Sequence, residues 1–596
     1  MARRVLLPVV VIAMLAAQAL AAEQPCDARF DAALKARAHA AAGVSQVILR
    51  LSGTDDLSAQ IRALGGSPVR RISSLGLLVA TIPDSALHQL SALTGVESIS
   101  LDRKVQGAID ATSTTIGAQW VRQELGFDGR GVGIALIDSG VTASHDDLDA
   151  ERVVHFADFV NFRTGQYDDY GHGTHVAGII AGNGRDSGGA RVGVAPGSSL
   201  IVLKALDGAG FGYSSNVIAA LEYAIANREK FNIRVINLSV AAGVFESYNR
   251  DPLTLAARRA VDAGIVVVAA AGNLGRNNLG KTQYGGISAP GNAPWVLTIG
   301  ASNGKGTADR SDDEIAAFSS RGPSAIDRSA KPDLVAPGVG IESITEPSSV
   351  LFAAHPTARL WGSARTISQP YLSLSGTSMA SPVVAGTVAL MLQANPALTP
   401  NAVKAILQFT AEQRDEYDHR TQGAGFLNAR GAVELARQFK DGFDPRRVSQ
   451  ERISDPVRWS RLIIWGNRRV AGGAIAPAAN AWQRGVTWGA SVTPSGDAVV
   501  WGDGPGRNST PQLELLEAGA DDPSAFDDAW IAANAEYADQ DLVLAGSFFE
   551  APNSAAIADL SGIELPAIKT GLPENLPGAI DPRKRSAGSP RERRFR

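Results

Sequence analysis

The chain has a single cysteine, Cys26, in 596 residues. No intrachain disulfide can form, so stability has to come from packing, bound ions or slow unfolding. It also lacks an excess of either charge: 56 Lys and Arg against 60 Asp and Glu leave a formal net charge of -4. Such a balance gives no global electrostatic reason to bind nucleic acid or acidic membranes. Basic residues crowd only into the tail "RKRSAGSPRERRFR", which reads as a solvated end. A lasting membrane span is not expected either. The apolar run "VLLPVVVIAMLAAQAL" is short, holds Pro8, follows the charged start "MARR" and ends in alanines, with Ala19-Leu20-Ala21 as a small-x-small cleavage site. Residues 1–22 therefore read as a signal peptide for export, to the periplasm or the medium. Glu23, Gln24 and Pro25 before Cys26 are too large and polar for lipid attachment there.

What is present is a large globular composition, 45% hydrophobic and 19% charged, enough for several domains. Residues 46 to 105 alternate strand and helix signals: "VSQVILRL", "DLSAQIRAL", "LGLLVATIP", "DSALHQLSAL" and "VESISLDRKV". Asp55 or Asp56 and Asp84 or Ser85 stand where helix caps belong, and the unit reads as a small α+β domain of split βαβ type. The small, polar stretch "QGAIDATSTTIGAQ" follows and reads as a linker. From Gly131 the strands become apolar throughout ("GVGIALID", "SLIVLKAL", "IRVINLSV", "GIVVVAAAG", "WVLTIGAS") and alternate with helices such as "SSNVIAALEYAIANREK". That pattern predicts a parallel sheet covered on both faces, with functional groups at the carboxyl ends of its strands. Asp138 ends one such strand and Asn273 lies just past another. Beyond about residue 440, "LIIWGN", "GVTWGA" and "AVVWGD" read as short strand-like pieces around Trp465, Trp488 and Trp501, and the text from Ser509 reads as loosely ordered.

Four stretches carry chemistry. Asp138 in "GIALIDSGV" reads equally as a turn cap or a working carboxylate. In "YGHGTHVAGIIAG", His172 sits between two glycines at a helix start and His175 one turn later; a metal pair would need a third ligand that the stretch does not supply. Asn273 in "VVVAAAGNLG" offers an amide donor, and Ser378 in "SLSGTSMASP" reads alone as a helix cap. Together they change meaning. A serine hydroxyl becomes a nucleophile when an imidazole takes its proton and a carboxylate orients that imidazole, and one candidate exists for each role.

With these motifs the chain resembles the subtilases, the subtilisin-like serine endopeptidases: "ALIDSGV", "GHGTHVAGIIAG" and "SGTSMASPVVAG" look like their aspartate, histidine and serine motifs, over roughly residues 115 to 440. The resemblance implies an α/β, three-layer subtilisin-like fold with a mostly parallel sheet. Ahead of it would stand a small ferredoxin-like propeptide, and behind it a C-terminal extension of unknown fold. The implied divisions are 1–22 signal peptide, 23–110 inhibitor-like propeptide, 111–440 peptidase domain and 441–596 extension. The resemblance further implies Asp138 as orienting carboxylate, His172 as general base and then acid, Ser378 as nucleophile and Asn273 as oxyanion donor.

Polypeptide substrates are the expected partners. By the same resemblance, Gly210, Phe211 and Gly212 on one side and Ser239, Val240 and Ala241 on the other pair with an extended peptide. Ala270, Ala271 and Gly272 wall the specificity pocket, with Leu274 at its rim, and no charge in it suggests a basic-residue requirement. Ala241 departs from the family's usual glycine. No cofactor is required; a structural calcium at Asp147 is the one metal the resemblance suggests, and Arg191 stands where the family offers a backbone ligand. The propeptide would act as intramolecular inhibitor and folding template, with self-cleavage between Lys104 and Ile116. Two other readings stay open. One is a catalytically silent, secreted binding protein on this scaffold, and the other is a processing protease whose C-terminal region restricts the cleft.

Overall fold

The computed structural model describes residues 29–30, 32–53, 56–72, 76–101, 108–149, 151–277, 280–362, 370–439, 457–471, 475–502, 512–515 and 542–544. The signal peptide, Cys26, Lys104 and the basic tail lie outside the described residues.

The N-terminal unit runs α1 (Ala32–Ala40), β1 (Val44–Leu51), α2 (Ser58–Ala63), β2 (Ser67–Ile72), β3 (Leu77–Pro83), α3 (Leu87–Ser91) and β4 (Val96–Leu101). Its antiparallel sheet has the order β2-β3-β1-β4, so each half is a strand, a helix and a strand split by the other half. Leu34, Val47, Leu49, Ile61, Ile82, Leu87 and Ile99 close a core of its own. Of the expected caps, Asp56 accepts from the Ser58 N–H at 3.0 Å. Asp84 instead turns inward and accepts from the Ser45 hydroxyl at 2.6 Å. The expected linker is in part a helix, α4 (Ala108–Thr115): buried Thr112, Ser113 and Thr115 give small residues a packing role that their composition alone conceals.

The second unit of fold is an eight-stranded sheet. In chain order its strands are β5 (Gly133–Asp138), β6 (Val153–Asp158), β7 (Ser199–Lys204), β9 (Ile233–Leu238), β10 (Val266–Ala270), β11 (Leu297–Asn303), β12 (Glu314–Ile315) and β13 (Leu334–Pro337), while β8 (Phe211–Tyr213) stands apart. The order is β12-β11-β10-β9-β5-β7-β6 with β13 also on β11, and every pairing is parallel except β11 with β12. The all-apolar strands have a simple cause. Ile134 and Leu136 of β5 enter one core with α5 (His172–Ala181), α8 (Thr377–Ala394), α9 (Pro400–Thr410) and α10 (Ala429–Gln438); Ala135 and Ile137 enter the other with α6 (Ser214–Ala226) and α7 (Pro252–Asp262). Alternate side chains thus go to opposite faces, and both faces are dry. The result is a three-layer α/β fold. By length and composition α8 could cross a bilayer, yet 94% of that stretch is buried inside the protein, which makes it the central core helix.

A separate three-stranded sheet holds β14 (Ile341–Ile344), β15 (Arg359–Leu360) and β16 (Tyr371–Leu374). Further on, β17 (Ile463–Trp465), β18 (Arg468–Ala471) and β19 (Gln512–Leu515) pair antiparallel, and β20 (Leu542–Leu544) pairs with β8. Of the three Trp-Gly pieces only Trp465 lies on a strand; Trp488 and Trp501 occupy turns. What unites them is packing. The Trp465 ring centroid lies 4.6 Å from that of Trp488 and 5.4 Å from that of Trp501, and all three belong to the same core as α8 and α9. Residues 457–471 and 475–502 therefore complete the core of the sheet domain.

Candidate active site

Asp138 stands at the carboxyl end of β5, fully buried. Its Oδ1 accepts two hydrogen bonds of 2.7 Å, from the Ser139 N–H and from His172 Nδ1. A carboxylate only accepts, so Nδ1 carries the imidazole proton and Nε2 is left with its lone pair. Among the described residues, no hydrogen-bond partner meets that buried Nε2. His172 is the first residue of α5, and its approach to β5 depends on Gly173: a Cβ there would fall 2.2 Å from Gly140 O and 3.2 Å from Asp138 Cβ.

A residue that the motifs did not single out holds this corner together. Asp168 Oδ1 accepts from Ser139 Oγ (2.9 Å) and Gly171 N (2.7 Å), and Oδ2 accepts from Thr174 N (2.8 Å) and Thr174 Oγ1 (2.6 Å). The bonds fasten the residue after Asp138 to the first turn that carries His172. A carboxylate four residues before the histidine, with a threonine two after it, was the sequence signal for this clamp.

Ser378 is the second residue of α8, whose cap position is Gly376, so its side chain is not the cap. Its hydroxyl donates to Ser239 O at 3.2 Å. Pro382 sits four residues on and has no N–H for the Ser378 carbonyl; the Ser239 hydroxyl donates to that carbonyl at 2.8 Å instead. Gly376 and Ala380 are both buried and pack beside Gly338. A Cβ on Gly338 would meet Gly376 O at 2.8 Å and Ala380 Cβ at 3.2 Å.

Asn273 Oδ1 accepts from both Thr377 N (2.9 Å) and Thr377 Oγ1 (3.0 Å). The atom facing an N–H must be the amide oxygen, so the NH2 group points the other way. At the start of α8 the Ser378 N–H belongs to the first turn, next to the Thr377 N–H that donates to Asn273. His175 does something else. Buried in full, its ring nitrogen Nε2 faces the carbonyls of Leu372 (2.9 Å) and Ile341 (3.1 Å), and burial pushes its pKa down to about 3. It is a neutral core residue that pins β14 and β16 to α5.

A buried carboxylate oriented onto an imidazole, a serine at a helix start and an amide near it are the kinds of group that acyl transfer uses. The model of the Peptidase S8, or subtilase, family matches residues 129–425. Serine protease AprX of Bacillus subtilis (strain 168) is 38% identical over 370 residues, covering 61% of this chain and 80% of that protein. This chain belongs to the subtilase family. Subtilisin E of the same organism is 32% identical over 374 residues, 62% of this chain and 84% of its own length. A crystal structure of a cold adapted subtilisin-like serine proteinase aligns at 28% identity with a TM-score of 0.37, covering 50% of this chain and 88% of the other. As a subtilase the protein is a serine-type endopeptidase.

In this subtilase the two expected substrate segments lie beside the histidine and the serine. Gly210 rests against Tyr170, since a Cβ there would fall 2.5 Å from the ring, and the Tyr170 and His172 ring centroids are 6.4 Å apart. Asp207, unmarked in the sequence, shapes β8 by accepting from Phe211 N (3.0 Å) while its own N–H donates to Phe211 O (2.7 Å). Ser239, Val240 and Ala241 follow β9 and are buried. Ala270, Ala271 and Gly272 follow at the end of β10, with Gly272 N donating to Thr377 Oγ1 at 3.1 Å and Leu274 N to Ser320 Oγ at 3.0 Å.

Asp147 has neighbours that suit a hydrogen-bonded knot better than calcium. His145, Asp147 and Asp186 bring ligand atoms within 4.8 Å of one another. Yet Asp147 Oδ2 accepts from Tyr371 OH at 2.7 Å, Oδ1 accepts from Asp186 N at 2.8 Å, and His145 Nδ1 accepts from Asp147 N at 3.1 Å. The Arg191 guanidinium lies 4.7 Å over the Tyr371 ring and bonds Glu342 at 2.7 Å. Calcium takes six to eight oxygens. Here one donor is a histidine, both Asp147 carboxylate oxygens already accept a hydrogen bond and a guanidinium stands by, so the residues present do not fit the ion.

Proposed function

We propose that this subtilase is an exported endopeptidase that cleaves peptide bonds through Asp138, His172 and Ser378, and is made as a zymogen. The observation that carries the reading is the 2.7 Å contact of His172 Nδ1 with a buried carboxylate, which leaves Nε2 bare. On binding of a peptide, the Ser378 hydroxyl turns from Ser239 O to Nε2 and gives up its proton as Oγ attacks the scissile carbonyl. That frees Ser239 O to accept a substrate N–H. The oxyanion forms between the Asn273 NH2 group and the Ser378 N–H, donors aimed before the charge develops. His172 then protonates the leaving amine, and water, giving its proton to Nε2, releases the acyl group. Asp138 stays ionised throughout and stabilises the imidazolium.

The α+β unit before the peptidase domain supports the zymogen reading, since a sheet assembled from distant segments folds slowly without a template. The hydrophobic start supports export. Ser378→Ala tests both the enzyme and the processing. The wild type is expected to shorten by about the first hundred residues and to take up a fluorophosphonate, and the variant to do neither, with hydrolysis reduced on the order of 10⁶-fold. Identical migration and equal absence of labelling would sink the reading.

A further inference from the structure

The edge of β8 is already taken. Leu542–Leu544 pair antiparallel with it, Leu542 opposite Tyr213, Val543 opposite Gly212 and Leu544 opposite Phe211. The pairing is specific in direction. Phe211 uses its N–H and its C=O on Asp207, on one side of the strand. Successive residues present their peptide groups to opposite edges, so the N–H and C=O of Gly212 face outward, where Val543 stands. Gly210, the residue just before β8, rests against the Tyr170 ring, whose centroid lies 6.4 Å from that of His172. An extended peptide that is to reach Ser378 by adding to β8 needs the same N–H and C=O.

We propose that Leu542–Leu544 is a built-in competitor for substrate, a strand of the same chain that occupies the substrate edge and must leave before a peptide can bind. The inference rests on the reading of Gly210, Phe211 and Gly212 as a substrate-binding segment. It gives Leu542–Leu544 a task distinct from that of residues 457–471 and 475–502: the latter complete the core, whereas the strand beyond them gates the cleft. The occupant is the Leu-Val-Leu segment 542–544.

The single native cysteine makes the test clean. In the full chain carrying Cys26→Ser, Tyr213→Cys and Leu542→Cys place two thiols at a directly opposed, non-hydrogen-bonded pair, where Cα atoms about 4.5 Å apart suit a disulfide. Oxidation is expected to give a monomeric cross-linked chain whose hydrolysis of an extended peptide substrate falls at least about tenfold, with recovery on reduction. A small fluorophosphonate, which has no backbone to add to β8, should label both forms at the same rate. Val543→Pro, which removes the N–H of the pairing strand, should lower the apparent KM by roughly tenfold with kcat unchanged, as expected when the open state is about one-tenth populated. Failure of the disulfide to form in the folded chain, formation of a cross-linked dimer, or a cross-linked chain with unchanged KM would each overturn the proposal. Absence of hydrolysis and of phosphonate labelling in oxidised and reduced forms alike would instead overturn the reading of Ser378.

Discussion

Two charged clusters in this protein are equally buried and oppositely finished. In the first, Asp138 and His172 share one hydrogen bond and each keeps an atom with no partner among the described residues, Oδ2 and Nε2. In the second, Asp333 lies between two lysines and every polar atom is used. Lys331 Nζ donates to Val296 O, Thr298 Oγ1 and Asp333 Oδ2, and Lys404 Nζ donates to Pro294 O, Val296 O and Asp333 Oδ1, all within 2.7–3.0 Å. Thr298 N and Gln408 Nε2 complete the carboxylate. Burial pushes Lys404 down to about 7, and near that pH the cluster can shed the proton that leaves it one charge over balance. Burial alone would raise Asp333, but the two ammonium groups outweigh it and hold it below its ordinary value. Orphaned atoms in a dry site cost stability unless something else comes to use them. The open cluster is the one to which we assign work on a third party, and the closed one serves the fold.

Exchanging the carboxylates for amides should separate the two roles. Asp138→Asn is expected to lower kcat by roughly 10⁴-fold, since an amide can favour the wrong imidazole tautomer, while thermal unfolding occurs no lower than in the wild type. Asp333→Asn should do the reverse. It leaves two buried lysines without their counter-charge and should cost about 3–5 kcal/mol in urea denaturation, with kcat/KM of the folded fraction unchanged. A matching loss of kcat/KM in the folded Asp333→Asn enzyme would break the contrast.

The two clusters also differ in how far the sequence exposes them. Asp138, His172 and Ser378 each lie in a local motif whose glycines and small residues fix the backbone, so the residues around them announce the site. The strands were legible for a related reason: a β5 that feeds two dry cores has to be apolar at consecutive positions. The Asp333 cluster draws on residues 294 to 408, with no periodic or motif signal, and only the folding of the sheet brings them together. Trp488 was visible as a Trp-Gly piece, but nothing local says that its ring lies 4.7 Å from Lys404 Nζ and roofs that cluster. The same holds for Thr377, whose fixing of Asn273 depends on two segments a hundred residues apart in sequence. Helix α4 was read as a linker because its small residues are informative only against the surface they pack on.

A third cluster extends the contrast to metals, with the smallest expected effect. Asp147, His145, Tyr371 and Asp186 form a knot in which hydroxyl and amide protons stand where a cation would, and the Arg191 guanidinium already supplies positive charge beside it. If this knot belongs with the closed Asp333 cluster, excess EDTA should leave the melting temperature and the autolysis rate of the purified enzyme unchanged, and added calcium should not restore anything. Tyr371→Phe should then lower stability by about 1–3 kcal/mol, because it strips the Asp147 carboxylate of its hydroxyl donor without offering another. A calcium-dependent rise in melting temperature that disappears in Asp147→Asn would move this knot to the open class, as a site that waits for an ion.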